Sequence, residues 1–279
     1  MAITSSIPKL VSAKILRTLE KDLIAKKICN TEPDTPIKKE GDTVYFSGLA
    51  DPTINDYEGT INYETLQDAS VALLINRKKY YAFTIDDIEA FQTRLDLKGS
   101  QTERAAYGLR DNADQYIFGL HGGAGNTVTA TVTTTNILST TSTGIRKLEE
   151  NNVKPNQRWM VVPPWYAEKL ELAGIKFQIN NGMDGEEGGL NWVRYRDTDI
   201  YISNNVVTTG SEGSYNSKVM CGSYNSIIFA DQIMKQRFIE ELEDKFAGGA
   251  SGLYVFGGRV LKALELCTIN ATQGTETAI

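Results

Sequence analysis

The sequence predicts an α+β fold, on three observations. A long helical block with its own start and stop signals fills much of residues 84–121. Short runs rich in β-branched and aromatic residues lie before and after it. That helix also carries only a narrow apolar edge, so it packs along one line instead of being wrapped by a core.

The helical block divides at Gly99. In its second part, Ser100-x-x-Glu103 has the form of a capping box, whose hydroxyl and carboxylate satisfy backbone N–H groups at a helix start. Ala106, Leu109, Ala113, Ile117 and Leu120 then recur at spacings of three and four and form one stripe. Gly122-Gly123 stops the helix. About 20 residues at 1.5 Å per residue predict a rod of roughly 30 Å.

The other elements follow in chain order. Residues 7–28 predict a helix with Ser6 as cap, Pro8 in the first turn, and Leu16, Leu19 and Leu23 on one face. The polar connector TEPDTPIKKEGD tethers it loosely, so it reads as an arm. Thr43–Leu49, Val71–Ile75 and Tyr80–Thr84 predict strands. Between the first two lies a polar stretch containing Asp51, Asp56, Tyr57, Glu58, Glu64 and Asp68. Structureless loops of that length are uncommon inside domains, so a long two-stranded flap is the expectation.

Beyond the long helix, NTVTATVTTTN predicts a strand and Thr143–Asn152 a short helix. Trp159–Val162 is expected as a buried strand stopped by Pro163-Pro164, with a helix over Trp165–Leu172. Residues 180–190 are a glycine-rich acidic loop, and VRYRDTDIYIS alternates as a strand into Asn204-Asn205. Ile227–Ala230 and Leu253–Leu264 predict strands separated by a GGASG hinge. Between them, Phe238, Leu242 and Phe246 recur every four residues and favour a helix. Trp159, Trp165 and Trp192 are expected in the core.

Composition bounds the function. The chain has 279 residues, 23% of them charged, with a formal net charge of −6. An acidic chain of pI near 5.1 does not wrap nucleic acid directly, although it can enclose it without sticking to phosphate. Cys29, Cys221 and Cys267 include no CxxC pair, so neither a zinc site nor a disulfide framework is indicated. The N-terminus lacks a basic segment followed by an apolar one, and no apolar run approaches 18 residues.

Catalytic signals are sparse. No HExxH, GxSxG or phosphate-loop motif occurs. His121, the only histidine, falls at the predicted C-terminal end of the long helix, where a cation suits the dipole. Gly122-Gly123-Ala124-Gly125 follows a helix, not a strand, and reads as a stop. Asp184, Glu186 and Glu187 fit no EF-hand spacing. Asp197 and Asp199 would face one way on a strand, with Arg194 and Arg196 beside them for surface pairing. Arg77-Lys78-Lys79 is the concentrated basic run, read either as a solvated strand end or as a contact to an acidic loop of another subunit. No cofactor or metal is expected, and no enzyme activity.

Four stretches carry a resemblance: IDDIEAFQTRL…TERAAYGLRDNADQYI at 85–117, VKPNQRWMVVPPWYAEKL at 153–170, DTDIYISNNV at 197–206 and SGLYVFGGRVLKALEL at 251–266. In this order the chain resembles the major capsid (coat) proteins of tailed double-stranded DNA bacteriophages, which have the Hong Kong 97 fold. The resemblance implies an N-terminal arm at 1–42, an extended β-hairpin loop at 43–82 and a peripheral domain with a spine helix at 83–154. It implies a mixed α/β axial domain at 155–225 and a return to the peripheral sheet at 226–279. It also makes 233–246 a strand, against its helical spacing.

The implied function is an icosahedral shell of hexamers and pentamers, enclosing double-stranded DNA without reading its sequence. The implied partners are the chain itself, a separate scaffolding protein, a portal protein and a decoration protein, with no membrane. The implied location is the virion, assembled in host cytoplasm. Candidate inter-subunit contacts are Asp51, Asp56, Tyr57, Glu58, Arg77, Lys78, Lys79, Asp184, Glu186 and Glu187. No Lys–Asn pair with a nearby acid is matched, so covalent cross-linking is not implied. The rivals are an encapsulin-like nanocompartment shell and a soluble α/β enzyme.

Overall fold

The computed structural model describes residues 24–31, 43–46, 54, 56, 71–86, 97–175, 178–179, 191–239 and 247–275. Its logic is clearest at one strand, β5 (Arg158–Val162), whose five residues are all buried. Successive side chains of a strand point to opposite faces. Trp159 and Val161 therefore enter one core, and Met160 and Val162 enter another. A strand buried on both sides must read as a continuous apolar run.

This strand lies inside an eight-stranded mixed sheet. Its order is β4 (Asn126–Val132), β13 (Leu266–Gln273), β10 (Asn216–Ser223), β5, β8 (Thr198–Ile202), β7 (Asn191–Tyr195) and β6 (Gln178–Ile179), with β9 (Thr208–Thr209) on β10. β4 runs parallel to β13, and β5 parallel to β8. Two helices, Ile137–Glu150 and Pro164–Leu172, bring Ile137, Ile145, Leu148, Tyr166 and Leu170 to the core on one face. The long helix at Leu97–Phe118 brings Leu109, Ala113, Ile117 and Phe118 to the core on the other.

A second, antiparallel sheet of three strands shares that second core. Its order is β11 (Ile227–Ile239), β12 (Ala247–Val260) and β3 (Arg77–Asp86). Alternation again sorts the side chains. Ile227, Phe229, Tyr254 and Phe256 meet the long helix, while Ile228, Ala230 and Val255 meet Leu73 and Ile75 in a third, smaller core. Leu73 belongs to β2 (Val71–Leu74), which pairs antiparallel with β1 (Thr43–Phe46). The chain between them thus leaves and returns at one place.

Five sequence expectations change. The long helix begins at Leu97, so Gly99 does not punctuate it and Ser100 stands inside its first turn, not at a cap. The short helix begins at Ile137, six residues before Thr143; Ile137, Thr141, Ile145 and Leu148 give it a buried face that its threonines had disguised. VRYRDTDIYIS folds back on itself. Arg196 and Asp197 take positive φ of 47° and 56°, as a tight two-residue hairpin turn requires, and β7 pairs antiparallel with β8. Asp197 and Asp199 therefore do not share a strand face.

Residues 233–239 are strand, not helix, and 240–246 lie outside the described residues. A register shift between Ile233 and Lys235 breaks the period-two pattern there and hides the strand. Finally, GGASG is no hinge: it runs within β12, and the strand expected to reach Leu264 ends at Val260. Tyr81 is the cross-strand partner of Gly252, and its ring fills the space that a Cβ there would need. The eight-stranded sheet, built from β4 to β10 and β13, takes strands from both sides of the 155–225 segment.

Candidate inter-subunit surfaces

β3 forms hydrogen bonds with β12 in register from Arg77↔Phe256 to Asp86↔Ala247, and among the described residues its other edge pairs with nothing. Arg77, Lys78, Lys79 and Tyr80 are all exposed, Tyr80 by 78%. The Arg77 guanidinium stands 5.2 Å from the centroid of the Tyr116 ring on the long helix. The Tyr116 hydroxyl in turn donates to the Gly258 carbonyl at 3.1 Å. The basic run is therefore seated on rigid elements at one end. Lysines on a sheet edge also discourage unspecific strand pairing.

Of the other expected contacts, Asp56 is exposed. Asp51, Tyr57, Glu58, Asp184, Glu186 and Glu187 lie outside the described residues. The structure thus gathers Arg77, Lys78 and Lys79 on one strand.

A second site escaped the sequence reading: the seat of the arm segment Ile24–Thr31. Its short helix, Ile24–Ile28, buries Ala25 and Ile28 against the long helix and β11. The Ala25 amide donates to the Asp114 carboxylate at 3.3 Å. Asn30 then joins β11 as an isolated parallel bridge, donating to the Ile227 carbonyl at 2.8 Å and accepting from the Phe229 amide at 3.0 Å. Lys26 lies 3.9 Å from Asp231, which accepts the Tyr254 hydroxyl at 3.0 Å.

Asp114 is only 4% exposed. Burial pushes its carboxyl up to about 7, against hydrogen bonds from Ala25 and Asn205 and the charge of Arg110, which all lower it. In the sequence, Arg110 and Asp114 look like a solvated i,i+4 pair on the polar side of the rod. Both are buried, so the helix has a wider inner face than its apolar stripe.

The residues considered for chemistry have structural partners. His121 sits in a 3₁₀ turn, Gly119–Gly123, that follows the long helix. Its carbonyl accepts from the Thr268 hydroxyl at 2.9 Å. Burial and nearby Lys218 lower its pKa, so the expected helix-end cation is replaced by a neutral ring. Asp199 accepts from the Tyr224 hydroxyl at 3.0 Å and lies 3.7 Å from Arg194, its cross-strand partner. Arg196 instead reaches Glu149 at 3.0 Å, which also holds the buried Arg158 at 3.1 Å. Among the described residues no group of three potential metal ligands occurs.

A long helix lies between a large mixed sheet and a three-stranded sheet, with a paired strand base for a long loop. That is the α+β, Hong Kong 97-type fold of phage capsid subunits. Three solved structures illustrate the likeness. One is from Mycobacterium phage Che8, with a TM-score of 0.68 and 20% identity, covering 89% of this chain and 91% of that one. A second is the capsid structure of the cyanophage P-SCSP1u, with a TM-score of 0.66 and 13% identity, covering 91% and 89%. The third is a virus-like particle from Pyrococcus furiosus, with a TM-score of 0.58 and 10% identity, covering 95% and 99%. No family profile and no curated protein matches the sequence.

Proposed function

We propose that this chain is the major capsid protein of a tailed phage, assembling through hexamers and pentamers into an icosahedral shell around double-stranded DNA. The observation that carries the reading is the extent of the structural likeness. About nine-tenths of this chain superimposes on about nine-tenths of the cyanophage capsid chain, so no large part of either is left to serve another purpose. The work of such a subunit is structural, not catalytic. Symmetric assembly repeats each contact many times, so weak interfaces suffice.

In this reading the loop rooted at β1 and β2 lies over one neighbour, and the N-terminal arm grips another. Arg77, Lys78 and Lys79 meet acidic groups such as Asp51, Asp56 and Glu58 of an adjacent subunit, with Tyr57 packed among them. The loop with Asp184, Glu186 and Glu187 approaches the centre of the capsomer. A separate scaffolding protein, a portal and a decoration protein complete the particle. The net charge of −6 suits a wall that contains DNA without adhering to it.

The likeness to the Pyrococcus furiosus virus-like particle favours a second reading, a cargo-enclosing nanocompartment shell. Negative-stain microscopy of the purified protein, alone and with a candidate scaffold, separates the two. Closed shells that need the scaffold support the capsid, and scaffold-free shells carrying a co-purified enzyme support the nanocompartment. A monomer at every concentration overturns both. Deleting residues 52–68 should leave a folded monomer that fails to close shells, and normal shells from that variant would remove the loop assignment.

A further inference from the structure

Cys221 and Cys267 occupy directly opposed positions on antiparallel β10 and β13, in the interior of the eight-stranded sheet. Opposed residues of an antiparallel pair share a face, and both side chains join the core beneath the helix at Ile137–Glu150. Both are free thiols, fully buried, and they hydrogen-bond each other. Opposed Cα atoms in antiparallel pairs stand about 4.5 or 5.5 Å apart, depending on the hydrogen-bonding position. Both separations fall within the roughly 4.4–6.8 Å that disulfides span. Direct opposition on neighbouring strands therefore places the two Cα atoms within the range a bridge spans.

We propose that Cys221 and Cys267 are a redox-modifiable dithiol that closes to an intramolecular cross-strand disulfide when the folded protein meets a small disulfide or diazene oxidant. Cys267 is the first nucleophile. The hydrogen bond from Cys221 lowers its pKa, and Lys147 on the covering helix adds to this against the cost of burial. That same hydrogen bond, with burial and the neighbouring sulfur, raises the pKa of Cys221. With a disulfide oxidant, the Cys267 sulfur attacks one oxidant sulfur and expels the other as a thiol. The Cys221 sulfur then attacks Cys267 in the mixed disulfide and expels the second thiol. One S–S bond replaces another, and the two cysteine protons end on the released thiols. With a diazene, the Cys267 sulfur adds across N=N and the Cys221 sulfur then displaces that nitrogen from it. The N=N bond leaves reduced to a hydrazine carrying both protons.

The covering helix packs directly on the pair at Gly144, where a Cβ would meet the Ile269 side chain at 2.6 Å and the Cys221 sulfur at 3.4 Å. The oxidant therefore reaches the thiols through local opening of that helix in the folded chain. The closed bridge joins β10 to β13 and encloses residues 222–266, which include β11 and β12. Cys29 supplies an internal control. It is buried apart from the pair, and burial with the neighbouring Asp114 charge raises its pKa strongly.

The test treats the folded wild-type chain with diamide, alkylates the remaining thiols after denaturation, and maps peptides by mass spectrometry. The expected product is a 221–267 linked peptide, with Cys29 alkylated. The melting temperature should rise by roughly 5–10 °C and return with reductant. Cys29→Ser should preserve both results, and Cys267→Ser should abolish both. Recovery of Cys221 and Cys267 as thiols from oxidant-treated folded protein overturns the proposal. So does linkage that forms only after denaturation or that joins Cys29 as readily.

Discussion

The two sheets obey the same alternation but face different surroundings. The eight-stranded sheet has helices across one face and the long helix with the smaller sheet across the other, so its central strands are apolar on both sides. The three-stranded sheet ends at β3, whose residues 77–80 are all exposed. Burial on two faces concentrates stability, whereas a free edge leaves backbone and side chains for use outside the fold. Substitutions can therefore be ranked by which region they strike, with the unfolding free energy as the scale.

Trp159→Ala should do the most damage. The side chain is fully buried where the sheet meets the long helix, and its indole N–H donates to the Ser223 carbonyl at 2.9 Å. A loss of about 3–5 kcal/mol is expected from the denaturant midpoint, from the cavity and the orphaned carbonyl together. A loss under about 1 kcal/mol would mean that the large sheet is not the stabilising region.

Asp114 lies where the two regions meet the arm, and its effect depends on pH. Its carboxyl is raised in the folded chain to about 7 from an ordinary value of 3.8. The folded state then binds more protons than the unfolded one between those values, so the slope of stability with pH is negative. The contribution is full below pH 4 and is lost as pH rises through about 7. Arg110, Asp111, Cys29 and Tyr254 are the other titratable groups coupled to it. Asp114→Asn keeps an acceptor for the Ala25 amide and cannot ionise. It should match wild type at pH 4 and exceed it by about 2–4 kcal/mol at pH 8, measured by urea unfolding at each pH. Parallel pH profiles would exclude Asp114 as the titrating group.

Gly252→Val tests the packing of the smaller sheet itself. The new side chain would meet the Tyr81 ring, and overpacking costs about 1–3 kcal/mol. Gly252→Val combined with Tyr81→Ala should recover part of that loss. Failure of the second change to help would point to backbone strain in β12 instead.

These cases also mark what the sequence made legible. Trp159–Val162 announced itself because four large apolar residues between turn signals leave little choice. The strand pair rooting the long loop and the strand at NTVTATV were equally local, whereas the long helix ends at Phe118, with the glycine pair inside the 3₁₀ turn that follows. What stayed hidden depended on partners far along the chain. The inner face at Arg110 and Asp114 exists only because Ala25 and the loop at Asn205 fold over it. The register shift in β11 broke the alternation that signals a strand, and the Arg196-Asp197 turn lacks the glycine or asparagine that usually signals a positive φ. Of the candidate contacts, Arg77-Lys78-Lys79 were visible as a charge run. The seat of Arg77 against Tyr116 was not, because that ring comes from a helix some forty residues away.

The smallest effect on folding should come from the free edge. Replacing Arg77, Lys78 and Lys79 together by serine removes three exposed side chains, the Arg77 cation–π contact among their interactions. The monomer should lose no more than about 1 kcal/mol, since exposed substitutions away from special features cost little and a surface cation–π pair contributes about 0.5–1 kcal/mol. Shell formation should nonetheless fall sharply, because in a closed assembly every copy would lack the same contact. The measurement is a pair: the unfolding curve of the monomer, and the fraction of protein pelleting as closed particles under assembly conditions. An unchanged particle yield would return β3 to the role of a solvated edge, whereas a large loss of monomer stability would make it part of the core. Only an unaltered fold with failed assembly separates the region that holds the subunit together from the region that holds subunits to each other.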